Sequence, residues 1–225
     1  MTSIFLIGTW ILATITIVSF AGILGKKYGK EHTIAILAAL TVMASIFANK
    51  IVEVGTFTVP AGVIVFSMTF LITDIIAETW GKQAAQNAVW TGFYANIVLV
   101  ISVLIVTHWQ APIYMQEAAE IFNQAIGLTW RITVAGLITY LISQSHDVWA
   151  YHFWKQKTKG KHLWLRNNAS TIISQFIDSV LFITIAFYGI LPIWPLILGQ
   201  WIIKIIIAIA ETPFLYATRW MMKKI

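Results

Sequence analysis

Seven stretches of this chain are each long and apolar enough to cross a lipid bilayer, and that excludes almost every fold available to a chain of this size. A helix needs about 20 mostly apolar residues to span the hydrocarbon core. The windows run Ile4–Gly25, Thr33–Val52, Pro60–Trp80, Ala84–His108, Ala119–Phe153, Asn168–Gly189 and Trp194–Thr218. The fifth is longer than a membrane requires and is expected to tilt or to project beyond it. Only 11% of the 225 residues are charged, against about 25% in ordinary soluble domains. No soluble core of this proportion could be covered. The fold class is therefore all-α: a polytopic membrane helical bundle of about seven transmembrane helices.

The basic residues give the orientation. Of 15 Lys and Arg, twelve fall at one set of span ends, among them Lys26, Lys27, Lys30, Lys82, the run Lys155–Arg166, Arg219, Lys223 and Lys224. Lys50, Arg131 and Lys204 lie inside the windows, and the opposite loops hold none. Cytoplasmic loops attract Lys and Arg, so the N-terminus is expected outside and the C-terminus inside. The net charge of +6 then reflects topology and anionic lipid, not nucleic acid. Several Trp residues at span ends suit an interfacial belt. The first window is read as a retained helix, not a signal peptide.

Ionisable residues at membrane depth are expensive and mark function. Counted along their spans, Asp74, Arg131, Asp178 and Lys204 fall near one level. Two acids and two bases from four helices predict a charge-balanced central cavity. Helical phase agrees. Ser67, Asp74 and Glu78 share a face of the third helix. Tyr140, Gln144, Asp147 and Tyr151 share one on the fifth. Asn167, Thr171, Ser174 and Asp178 form a stripe on the sixth with Gln175 beside it. Gln200, Lys204 and Glu211 line the seventh. Lipid would leave these groups unsatisfied, so each stripe should face protein or water.

Other chemistry is poorly supported. Zero cysteines exclude disulfides and thiolate metal sites, and no histidine spacing suits a metal. No phosphate-binding loop or serine elbow exists. The chain is not read as an enzyme, and no cofactor is implied. The bilayer is an expected partner and nucleic acid is not; a homodimer stays open. Two alternatives to a transporter are the substrate-binding membrane subunit of an ATP-driven vitamin importer and a seven-helix retinal or ligand receptor, the latter suggested by the seventh-helix lysine.

Four segments together carry a resemblance. They are Thr69-Phe-Leu-Ile-Thr-Asp-Ile-Ile-Ala-Glu-Thr-Trp-Gly-Lys82; Arg131 with Tyr140-Leu-Ile-Ser-Gln144 and Asp147-Val-Trp149; Leu165-Arg-Asn-Asn-Ala-Ser-Thr-Ile-Ile-Ser-Gln-Phe-Ile-Asp-Ser179; and Lys204 with Glu211-Thr-Pro-Phe214. From about residue 33 to the C-terminus the chain resembles the VUT family of vitamin uptake transporters, whose function is import of queuosine precursors for tRNA modification. Glu211 stands where an Asp is common. The resemblance implies residues 33–225 as a six-helix transporter core, with 1–32 an additional transmembrane helix and basic loop. It implies a multi-pass protein of the cell (inner) membrane whose partner is a small purine-like solute, a 7-deazaguanine; the reading adopted from the polar stripes is import by alternating access, either coupled to protons through Asp74, Glu78, Asp178 or Glu211 or running as facilitated diffusion. Substrate contacts are then expected from Asp74, Glu78, Arg131, Gln144, Asn168, Gln175, Asp178 and Lys204. A carboxylate (Asp74, Glu78 or Asp178) would accept from the N–H edge of a guanine-like ring, and Gln175, Asn168 or Arg131 would donate to its carbonyl. Phe70, Trp130 or Trp201 would stack on the ring.

Overall fold

A computed structural model describes residues 2–127, 130–189 and 191–224. The order is α1 (Thr2–Tyr28), α2 (Glu31–Phe47), β1 (Ile51–Val54), β2 (Phe57–Pro60), α3 (Gly62–Trp80), α4 (Lys82–His108), a 3₁₀ turn (Ile113–Met115), α5 (Gln116–Gly127), α6 (Trp130–Lys157), α7 (Leu163–Phe187) and α8 (Ile193–Met222). The chain is a helical membrane bundle. Five helices (α1, α3, α4, α7 and α8) are long and apolar enough to cross a bilayer, and α2 is a shorter apolar helix of 17 residues. The polar stripe of α6 lowers its hydropathy, although its 28 residues give ample length.

Helix α3 is the axis. Every residue from Gly62 to Ala77 except Phe66 is buried. Neighbours α1, α2, α4, α6 and α8 surround it, which suits a helix apolar nearly all round. By contrast, α4 leaves Trp90, Tyr94, Val98, Ile101 and Ile105 exposed. Such a continuous apolar face belongs against lipid. Two glycines set the spacing inside. A Cβ at Gly62 would meet the Ala44 carbonyl of α2, and one at Gly92 would meet the Tyr140 hydroxyl of α6.

Two windows break where the sequence read through. The second was expected to stay helical to Val52, yet α2 stops at Phe47 and Ile51–Val54 forms a strand. β1 pairs antiparallel with β2 in the register Ile51↔Pro60, Val52↔Val59, Glu53↔Thr58 and Val54↔Phe57. The β-branched residues favour strand, and Gly55 takes the left-handed turn at φ +63°. The hairpin rests on the start of α8, where Gly199 admits Phe57 and the Thr58 carbonyl at 3.5 Å. The fifth window, expected as one long helix, is two. Helix α5 carries Gln116, Glu117, Glu120, Asn123 and Gln124; its 12 residues rise only about 18 Å, short of a crossing. Residues 128–129, between α5 and α6, lie outside the described residues.

The bundle thus has two distinct ends. The hairpin end gathers β1–β2, the α4–α5 turn and the α7–α8 connection. The basic-loop end gathers Gly29–Lys30, Gly81 and Thr158–His162.

Candidate functional site

Helices α3, α6, α7 and α8 each carry polar residues at three successive depths, spaced about one to two turns, or roughly 6–12 Å. The helices supply them in opposite sequence order according to their direction. Nearest the hairpin are Phe66 (α3), Tyr140 and Ser143 (α6), Asp178 (α7) and Lys204 (α8). Next come Thr69, Thr73 and Asp74; Gln144 and Asp147; Ser170, Thr171 and Ser174; and Glu211. Last are Glu78, Tyr151 with Lys155, Arg166 and Arg219.

The first depth holds a pocket lined among others by Phe66, Tyr140, Asp178, Phe182, Gln200 and Lys204, with Ser45 of α2 and Asn96 of α4 also in its wall. Lys204 Nζ pairs with Asp178 Oδ2, and both residues are buried. Ser143 Oγ donates to Asp178 Oδ1 at 3.2 Å, so the carboxylate is held from two helices. The ammonium also lies 4.8 Å from the Phe66 ring centroid. Tyr140 packs edge-on against Phe66 at 6.2 Å, yet its hydroxyl, though buried, finds no hydrogen-bond partner among the described residues. Ser45 Oγ donates to Asn96 Oδ1 at 2.7 Å, and Asn96 Nδ2 donates to the Gly92 carbonyl. The walls are aromatic, the charges cancel, and one hydroxyl is unspent.

The second depth is acidic. Asp147 sits beside Asp74 and beside Ser170, Thr171 and Ser174. Glu211 is an electrostatic neighbour of both aspartates. All three are at most 1% exposed. Asp74 Oδ2, Glu211 Oε2 and both Asp147 oxygens complete no hydrogen bond, and no Lys or Arg forms an ion pair with them among the described residues. Gln144 closes this layer toward the hairpin: its Nε2 donates to Thr69 Oγ1 at 2.5 Å and its Oε1 accepts from Thr73 at 3.0 Å.

The third depth is a hub on one carboxylate. Glu78 Oε1 meets Arg166 Nη2 at 2.7 Å and Arg219 Nη2 at 3.0 Å; Oε2 meets Lys155 Nζ at 2.9 Å and accepts from Tyr151 at 3.1 Å.

A buried polar core with a pocket among its charges, inside helices whose outer faces are apolar, is the anatomy of a membrane transport protein. The family model described as "Putative vitamin uptake transporter" matches residues 60–218, well over half of the chain. The chain belongs to this family. It is a multi-pass membrane transporter with a small-molecule substrate. A curated relative from Bacillus subtilis (strain 168), "Probable queuosine precursor transporter", is 28% identical over 205 residues, covering 87% of each chain. No solved structure matches.

On this transporter the expected contact residues separate. Asp178 and Lys204 line the cavity. Asp74 joins the acidic layer instead of the Asp178–Lys204 pair. Glu78 has all its bonding taken by the hub. Gln144 is spent on α3. Asn168 lies nearer the surface, donating to the Trp164 carbonyl and to Thr212 Oγ1 of α8. Gln175 is buried with neither amide atom bonded among the described residues. The backbone of Arg131 is the second residue of α6, so it sits near the hairpin end and not mid-span as expected; the start of α6 at Trp130 moves it there, and its side chain lies outside the described residues, as does that of Trp130. Trp201 donates to the Ile172 carbonyl at 3.1 Å and Phe70 packs on Phe66, so both are structural here. Lys50, expected inside the second window, is exposed at the hairpin end.

Sequence reasoning left out Asn96, a lone amide in an apolar helix, and read Arg166 as a loop charge. Arg166 is in fact fully buried. Extending the Ser170–Ser174–Asp178 stripe back by one i−4 step would have placed it on the same face.

Proposed function

We propose that the chain imports queuosine precursors, the 7-deazaguanines, across the cytoplasmic (inner) membrane by alternating access. The observation that carries this is the cavity at Asp178 and Lys204, taken with the relative's name. A guanine-like ring offers two N–H donors on one edge and a carbonyl on the next. Asp178 supplies the acceptor, Lys204 and Gln200 the donors, and Phe66, Tyr140 and Phe182 the apolar walls. The free Tyr140 hydroxyl supplies one more polar contact. In this reading α1–α4 and α6–α8 are the spans, the 17-residue α2 included, with α5 at the hairpin-side surface. The basic-loop end faces the cytoplasm, because Lys and Arg concentrate there. Residues 33–225, from α2 onward, form the transporting core, and α1 packs on it against α2, α3 and α8. Proton coupling is assigned to the acidic layer, where Asp74, Asp147 and Glu211 meet with no Lys or Arg ion-paired to them among the described residues and where added positive charge is stabilised.

The experiment is uptake of labelled cyano- and aminomethyl-deazaguanine by cells that cannot make them, with the gene and without it. Gene-dependent accumulation that is lost in Asp178→Asn, in protein still inserted in the membrane, supports the proposal. Accumulation unaffected by Asp178→Asn and Lys204→Met removes the cavity from the pathway. Purified protein should also melt at higher temperature with ligand, since ligand bound only to the folded state stabilises it.

A further inference from the structure

The cavity occupies the hairpin half of the bundle, while the opposite end is shut by a single carboxylate. We propose that Glu78 is the latch of a gate, holding the ends of α6, α7 and α8 to α3 and closing the polar core at the basic-loop end.

The charges make the case. Arg166, Arg219 and Lys155 come from three different helices, and all three meet Glu78 within 3.0 Å. One negative charge thus sits among three positive ones. Without it the three cations would repel one another across the space it fills, and no other carboxylate is ion-paired with any of them among the described residues. Such an arrangement is bistable: closed while the carboxylate is in place, driven apart when it leaves.

Burial separates the parts. Arg166 is 0% exposed and the Glu78 side chain 8%, whereas Lys155 and Arg219 are about a third exposed. The latch and its inner partner are therefore sealed, and the two outer cations form the rim. Arg166 is anchored further: its Nη1 donates to the Gly160 carbonyl at 2.9 Å and its guanidinium lies 5.5 Å from the Tyr151 ring centroid. The loop presenting that carbonyl has Lys159 and His162, two non-glycine residues, at φ +50° and +51° around Gly160. L-residues pay conformational energy to sit there, so this loop holds a strained shape while the hub is closed. Immediately behind the hub, on the face of α7 carrying Arg166, lie buried Ser170 and Ser174. They lie between Arg166 and Asp147 of the acidic layer.

The inference rests on the transport reading, but its test needs neither substrate nor uptake. The chain has no cysteine, so single reporters are clean. Ser170→Cys reports the space behind the hub; Ser45→Cys reports the hairpin-side cavity. Each is labelled in detergent with a charged methanethiosulfonate, alone and with Glu78→Gln. Glu78→Gln should speed labelling at position 170 by about tenfold, a shift of one decade in the open population, and slow it at position 45. An unchanged rate at 170 in monodisperse, cooperatively melting protein overturns the gate. So does equal acceleration at both positions, which signals general loosening. Should Glu78→Gln not fold, Lys155→Gln with Arg219→Gln removes the rim alone: a smaller rise confined to position 170 supports the latch, and no rise refutes it. Failure of the parent to accumulate any precursor would count against the transport reading and leave the labelling result standing.

Discussion

Lys204 and Asp178 give the most demanding test of the cavity, because their contributions to folding and to binding predict different orders of variants. In Lys204→Met, Asp178 keeps one hydrogen bond, from Ser143 at 3.2 Å, and loses its only ion-pair partner among the described residues. Removing one member of a buried pair costs about 3–5 kcal/mol, because the other charge stays buried and uncompensated. Loss of the ammonium over Phe66, 4.8 Å from its centroid, adds about 1 kcal/mol. Asp178→Asn strands Lys204 in the same way. The double variant strands nothing: its Asn still accepts from Ser143, and the Met fills the lysine's apolar volume. Its stability should lie within about 1–2 kcal/mol of the parent, since replacing both buried charges together is often neutral. At about 2–4 °C per kcal/mol for a chain of this length, each single variant should melt about 10 °C lower or more. The double variant should recover most of that. Thermal unfolding in detergent, followed by the fluorescence of the 11 tryptophans, reads the series directly. All three variants should fail in uptake, because both polar contacts line the cavity. A double variant that melts below either single variant would show independent effects and would refute the pairing.

Three other outcomes follow from individual contacts. Tyr140→Phe removes a buried hydroxyl with no hydrogen-bond partner among the described residues, so stability should move by less than about 1 kcal/mol, while the melting-point rise produced by ligand shrinks; an undiminished rise removes the hydroxyl from recognition. Gly92→Ala drives a methyl into that hydroxyl and should cost about 1–3 kcal/mol; adding Tyr140→Phe should recover part of the loss in the same melting assay, and no recovery would place the clash elsewhere. Asp74→Asn removes one of three mutually repelling carboxyls and should leave the fold intact, while uptake into proteoliposomes stops responding to an imposed proton gradient; a preserved response takes Asp74 out of coupling.

Periodicity alone found the helices and their inward faces. Asp74, Asp147, Asp178, Lys204 and Glu211 all lie on predicted stripes and all are buried. The failures came where local chemistry beat the hydropathy window. Ile51–Val54 is as apolar as a helix end, and only its β-branching and the following Gly55 mark it as a strand. Ala119–Phe153 is apolar on average, and only the amides and acids of residues 116–124 mark its first part as a separate short helix. A window average discards both signals. The partner assignments were beyond sequence for a different reason. Helical phase fixes which way Asp74 points to within a broad sector, and two neighbours fall inside that sector. Counting depth put Asp74 beside Asp178; the packing of α3 against α6 and α8 put it beside Asp147 and Glu211 instead.

That regrouping changes what the polar core can do. Four ionisable residues gathered at one depth would form a single neutral site, sensitive to substrate alone. The structure divides the charges by depth: a neutral pair at the cavity, three carboxyls behind it, and three cations around one carboxylate at the far end. Arg166 is the joint between the last two, since it is ion-paired with Glu78 and also acts electrostatically on Asp74. Whatever positive charge enters the acidic layer weakens the attraction of that layer for Arg166. Occupancy behind the cavity and closure at the basic-loop end therefore draw on the same guanidinium, and buried as it is, that interaction is poorly screened by salt or water. Measuring the Ser170→Cys labelling rate in an Asp74→Asn background is the direct check. A rate that follows the removal of that carboxyl places both layers in one circuit; a rate indifferent to it makes them independent.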